Sequence, residues 1–287
     1  DSPVPTLLYP QDGSFIEPGD ILFEWSSEPS AISYVIQIDT TDTFNSPDLI
    51  QETSGDTQSI QNFTDYGTYY WHVCAMDGGG HYTAYSDTWS LTIADPFVQL
   101  TDHSSWDYRP SVTQAGDGNV WVVWEADRDW QHHIWYRTSP DMGYSWSAEM
   151  PLDTGYSGAH GPDMTQAMDG NLWLVWFDFR SGNSDLWYMT SPDYGAKWSP
   201  PVQLTDDPGT DVCPSITQTI DGTIWVVWQS YRSGNGDIWY KTSPDGGLTW
   251  SSDTQLTTDP SYDNYPSLTQ DFYDGKIWIA WQSYRPG

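Results

Sequence analysis

Only two cysteines, Cys74 and Cys213, occur in the 287 residues. They lie far apart and outside any recognisable metal or redox spacing, so a disulfide framework is excluded. Cations are scarce too: nine Lys plus Arg face 40 Asp plus Glu, a formal charge of −31. That balance repels nucleic acid and anionic membrane surfaces at long range, and no nucleic-acid partner is expected. No apolar run approaches the length of a membrane span, and no basic-then-apolar signal peptide opens the sequence, which begins Asp1-Ser-Pro-Val-Pro5. A mature secreted form and an internal fragment both look like this, and an extracellular or cell-surface location is expected. Long side chains that favour helices are also few.

What is abundant is aromatic: 19 Trp and 19 Tyr supply much of the core material. Thr, Val, Ile, Trp and Tyr fill the periodic segments, while Gly, Pro, Asp, Asn and Ser fill the gaps, a balance that reads all-β. Many acids sit at turns, as in Asp117-Gly118, Asp169-Gly170, Asp221-Gly222 and Asp274-Gly275.

Residues 1–95 show short strands and no copy of the pattern that follows. Strands are expected near Leu7–Tyr9, Ile21–Ser26, Ser33–Asp39, Ser59–Asn62, Thr68–Met76 and Thr88–Ile93. Ile21-Leu-Phe-Glu-Trp25 and Tyr34-Val-Ile-Gln-Ile38 alternate, giving one face inward and one outward. With turn signals every eight to twelve residues this fits a sandwich of about ninety residues. Pro5-x-x-x-x-Pro10, Phe23-Glu-Trp25, Tyr34-x-Ile-Gln-Ile38 and Gly67-Thr-Tyr-Tyr-Trp-His-Val73 resemble a fibronectin type III module of microbial extracellular proteins. The resemblance implies a spacer or binding unit.

After a joint at Asp95-Pro96, residues 96–287 repeat. Ser-Pro-Asp-x-Gly-x-x-Trp-Ser occurs at Ser139–Ser147, Ser191–Ser199 and Ser243–Ser251, 52 residues apart. A period near fifty with strand-like filling points to propeller blades, since one small sheet cannot bury both faces alone. Each copy opens at a proline (Pro110, Pro162, Pro214, Pro266) within a first strand ending Thr-Gln. A strongly apolar second strand follows, such as Val120-Trp-Val-Val-Trp124, then a third such as Ile134–Thr138. In the motif, the Asp (Asp141, Asp193, Asp245) can bond backbone N–H groups across the turn. The Gly (Gly143, Gly195, Gly247) accepts positive φ, and the Trp (Trp146, Trp198, Trp250) covers the hairpin opened by Ser139, Ser191 or Ser243. The spacing matches the Asp box, or BNR repeat, and residues from Pro96 resemble the sialidase-like β-propellers.

The blade count does not close. Phe97–Asp102 matches Pro201–Asp206 and reads as an outer strand without its blade, while Pro266–Tyr284 supplies two strands and stops. Truncation, completion between chains, and strained self-closure are the three readings. The second implies self-association through incomplete blades.

Chemistry is sought where copies differ. Arg128, Arg180, Arg232 and Arg285 recur four residues after the last Trp of the second strand, which favours a structural pairing with loop Asp or Trp. The resemblance implies an arginine cluster for a substrate carboxylate and a Tyr activated by Glu. Tyr108-Arg109-Pro110 is similar to the family's Tyr/Phe-Arg-Ile-Pro signature without its Ile. Catalytic candidates are therefore Tyr108, Arg109, Glu125 and Asp127, the acids being replaced by Gln229 and Tyr231 in the third blade. The alternative for Arg109 is a solvent-facing loop residue, and for the acids a solvated surface pair.

His132-His133, His103 and His160 show no repeating ligand spacing, which argues against zinc. Calcium suits the hard oxygens of Asp206, Asp207 and Asp237, which turn formation explains equally well; otherwise no cofactor is expected. Asn62-Phe63-Thr64 fits a glycosylation acceptor. Three functions follow: a non-enzymatic surface protein binding a glycan or protein, a sialidase-like glycosidase, and a subunit of a surface layer or filament.

Overall fold

The computed structural model describes residues 3–94, 98–128, 130–271 and 275–284. Those residues form strands and turns with no helix, and the chain divides into two compact units, Asp1–Val98 and Gln99–Gly287. Asp95, Pro96, Phe97, Asp274 and Arg285 lie outside the described residues.

The first unit holds β1 (Leu7–Tyr9), β2 (Ser14–Ile16), β3 (Gly19–Trp25), β4 (Ala31–Asp39), β5 (Leu49–Thr53), β6 (Gln58–Phe63), β7 (Gly67–Asp77) and β8 (Trp89–Ile93). They pair as β1-β3-β6 and β2-β8-β7-β4-β5. Alternation in β3 sends Ile21, Phe23 and Trp25 into one core with Tyr34, Ile36 and Ile38 of β4 and Trp71 and Val73 of β7, so the two sheets are the layers of a sandwich. β2 and β5 carry no alternating apolar pattern, and sequence reading passes over both. Asn62 is exposed on β6 and donates to Asp20. No Lys or Arg occurs before Arg109, so every cation of the chain belongs to the second unit.

There, β9 (Asp107–Gln114), β10 (Val120–Arg128), β11 (Gln131–Ser139) and β12 (Met150–Leu152) make the first antiparallel blade. The second is β13 (His160–Gln166), β14 (Leu172–Asp178), β15 (Asp185–Ser191) and β16 (Val202–Gln203). The third is β17 (Asp211–Gln218), β18 (Ile224–Ser230), β19 (Asp237–Ser243) and β20 (Thr254–Gln255), followed by the pair β21 (Asp263–Gln270) and β22 (Ile277–Ser283). β14 is buried along its whole length, as a continuous apolar strand between two blades requires. In β22, by contrast, Trp278 is 60% exposed where its counterpart Trp173 is 2% exposed.

The recurring motifs are explained by bonds between blades. Gln218 donates to Gly222 O of its own Asp-Gly turn at 2.7 Å and accepts from Met168 N–H of the preceding blade; Gln270 does the same with Gly275 O and Ile220 N–H at 2.6 Å. One residue past each proline, Ser111 accepts from Met164 N–H, Asp163 from Ile216 N–H and Ser215 from Leu268 N–H. These bonds stitch first strand to first strand.

The boxes act between blades as well. Ser191 donates to Asp193 and accepts from Gly195 N–H, which closes the turn locally. Trp198 packs edge-on against Trp121 of the preceding blade, and Trp250 against Trp173. A Cβ at Gly195 would meet Trp121 at 2.2 Å, and one at Gly247 would meet Trp173 at 2.5 Å, so glycine is required for docking as well as for the turn.

Residues 98–102 form no strand, contrary to the expected initial outer strand, because no described strand lies beside them to pair with. Leu100 O nonetheless accepts from Arg137, as Leu204 O accepts from Lys241 two blades on, so the segment occupies the place of a preceding blade's edge.

Candidate functional site

Each first strand contains a proline, which cannot donate to the ladder, and pairing with the second strand slips there in every copy. The residue just before the proline takes positive φ: Arg109 (47°), Gly161 (55°), Cys213 (53°) and Tyr265 (50°). Three of the four are not glycine, and such strain persists only where the surroundings over-determine it. The bulges aim these residues at one cavity of about 210 Å³, lined also by Ser111, Asp163, Ser215 and Ser267. The ring is regular in backbone and irregular in chemistry.

Beside the cavity lies Glu125, 2% exposed on β10. Its Oε2 accepts from Arg109 Nη1 at 2.7 Å and from Gly161 N–H at 3.0 Å. Its Oε1 lies 2.8 Å from His160 Nδ1 and 2.9 Å from His132 Nδ1. Burial alone would raise the pKa of Glu125; the hydrogen bond and charge of His160, the Gly161 N–H and Arg109 outweigh it and bring it to about 2. Phe177, the counterpart of Glu125 in the second blade, stacks on His160, and the Arg109 guanidinium lies 5.9 Å from the centre of the same ring.

Arg109 is thus a half-exposed strand residue locked to Glu125, not a solvent-facing loop. Tyr108 stands opposite Glu125 in the β9–β10 register, yet its ring stacks on Trp106 and no hydrogen bond joins the two. Asp127 pairs across the strands with His132. His160 occupies the place of Tyr108 in the next copy, and its meeting with His132 depends on blade docking, which sequence spacing does not reveal.

The recurrent arginines are held within their own surroundings. Arg128 lies over Trp135 and pairs with Glu149 at 2.6 Å; Arg180 lies over Trp187 and pairs with Asp178 at 2.6 Å. Arg232 lies over Trp239 and pairs with Asp211 and Asp253. Of the oxygen candidates, Asp237 is buried beneath donors from Ser233, Gln255 and Thr257, and Asp207 accepts from Gly209 N–H. Among the described residues, the group of three donors that converges is Glu125, His132 and His160.

Residues 110–282 match the BNR repeat-like domain. The chain belongs to that family. The sequence matches no curated protein. A structure of a protein of unknown function from Dyadobacter fermentans is similar at 13% identity and a TM-score of 0.53, covering 98% of this chain and 79% of that one. The endo-arabinase of Bacteroides thetaiotaomicron gives 14% identity and 0.48, with 75% and 84% covered. The intramolecular trans-sialidase of Ruminococcus gnavus gives 21% and 0.46, with 82% and 52% covered. At such identities the Dyadobacter likeness is one of fold. Within this BNR chain, the repeat builds the blades, and the Glu125 cluster stands at the end where they diverge.

Proposed function

We propose that this BNR protein is a non-enzymatic extracellular or cell-surface protein whose divergent blade end binds a neutral glycan, with the first unit as a fibronectin type III-like spacer. The observation that carries the reading is the set of exposed aromatics at that end: Trp106, Tyr108, Trp130, Phe179, Tyr231 and Tyr265, from 40% to 96% exposed. Exposed aromatic clusters mark binding surfaces, and flat rings with an apolar body suit the C–H faces of sugars. Neutrality follows from charge: Arg109, Arg128, Arg180 and Arg232 each already face a carboxylate, and the net charge of −31 repels anionic ligands. The test is binding of neutral and sialylated oligosaccharides to the intact chain. Saturable binding of a neutral glycan supports the reading, and selective binding of sialosides overturns it.

The glycosidase reading is favoured by one observation: Glu125 is held ionised while burial raises the pKa of Asp163 on the cavity wall, the kind of contrast that separates base from acid. Against it, Asp163 spends its oxygens on Ser111, Met164 N–H and Ile216 N–H, and the last of these bonds, to the next blade, is made by serine in the neighbouring copies. Turnover of a fluorogenic glycoside, abolished by Glu125→Gln, would replace the binding reading. The exposed face of β22 favours self-association as a further property; light scattering that shows only monomers at high concentration removes it.

A further inference from the structure

We infer that Glu125, His132 and His160 form a binding site for a first-row divalent transition ion such as Zn²⁺ at the divergent end of the blades. Two imidazoles and one carboxylate are a donor set suited to such ions, in contrast to the oxygen-only sets that take calcium. All three donor atoms lie within 4.8 Å of one another. Two donors about 2.1 Å from a tetrahedral ion stand about 3.4 Å apart; the separations here, 2.8 and 2.9 Å from Oε1, require an opening of about half an ångström.

The surroundings divide the work of the carboxylate. Oε2 is fixed by Arg109 and Gly161 N–H, which orients Glu125 and leaves Oε1 turned toward both rings, the role that outer partners play around metal ligands. Only one of the two rings is hydrogen-bonded to Oε1. His160 Nδ1 is hydrogen-bonded to it, while His132 Nδ1 is buried, equally close, and has no hydrogen-bond partner. An ion between the three would give that nitrogen its partner. The His132 side chain is 35% exposed, so an ion can reach the site from solvent and keep positions for water or a ligand hydroxyl.

The experiment titrates the untagged, intact chain with Zn²⁺ by calorimetry and with Co²⁺ by visible absorption. One equivalent is expected, with binding weakened at least about tenfold by His132→Ala and by His160→Ala and changed by less than about twofold by His133→Ala or His103→Ala. No stoichiometric binding, or binding that survives in the His132→Ala/His160→Ala chain, overturns the inference. Should a variant misfold, Ni²⁺ added to the wild-type chain decides the matter by NMR. Selective broadening of the His132 and His160 ring signals supports the site, and broadening only at other histidines refutes it. The readout is independent of glycan binding.

Discussion

At the end of the blades that carries the Asp-Gly turns and boxes, Gln218 and Gln270 make the same two bonds, and Trp198 and Trp250 dock on the same ring of the blade before. At the opposite end, the place of Glu125 is taken by Phe177, Gln229 and Gln282, and that of Arg109 by Gly161, Cys213 and Tyr265. The backbone is alike at both ends, including the positive φ before each proline. What differs is what the side chains are asked to do. At one end each copy must fit the next, so departures are removed; at the other the bulges hold side chains at a cavity, and departures from the repeat accumulate where chemistry has a use for them.

The largest expected effects break the uniform end. Gly195→Ala places a methyl 2.2 Å from Trp121 at φ +87°. Overpacking and left-handed backbone together should cost about 3–5 kcal/mol in chemical unfolding. Gly143 has the same turn and no such ring, its nearest contact being Trp146 at 3.7 Å, so Gly143→Ala should cost only about 1–2 kcal/mol. Equal losses at the two positions would mean that the box serves its own hairpin alone.

Next comes the divergent end, through Glu125. Its pKa is depressed from 4.5 to about 2, so the folded state is stabilised above pH ~4.5 and loses that stabilisation as pH falls toward 2. A shift of this size is worth roughly 3 kcal/mol. Glu125→Gln should therefore be less stable than the wild type by about that much at neutral pH, and the gap should close on acidification. A gap independent of pH would mean that the carboxylate charge is not what holds Arg109 and the histidines.

A smaller loss tests the stitches. Gln218→Ala removes a bond to Gly222 O and one from Met168 N–H, and should cost about 2 kcal/mol. Asn at the same place is too short to span both turns and should recover little of it.

The same contrast decides what was legible in the sequence. Repetition exposed the strands, the boxes and the blade order, because identical residues at a fixed period have one physical explanation. The prolines inside first strands signalled bulges, yet a linear reading does not say that four residues before them share a cavity. His132 and His160 were visible as histidines, but 28 positions and a blade boundary separate them; His132 comes to Glu125 within the β10–β11 hairpin, and docking of β13 beside β10 brings His160. β2 and β5 escaped because their pairing is decided by neighbours and not by their own alternation.

The smallest effect on stability is expected where the effect on function is greatest. Trp130 is 96% exposed in the turn between β10 and β11, at a place where the other blades have Gly182 and Gly234. A side chain so exposed contributes little to the fold, and Trp130→Ala should change unfolding by no more than about 0.5 kcal/mol. If the divergent end binds glycans, an aromatic anchor of this kind should be worth a loss of about tenfold or more in affinity. Leu248 is a suitable counterpart: it is 86% exposed, but in a box at the uniform end, so Leu248→Ala should leave both stability and glycan affinity unchanged. Loss of binding in Leu248→Ala but not in Trp130→Ala would move the binding surface to the other end of the blades and invert the assignment of scaffold and site.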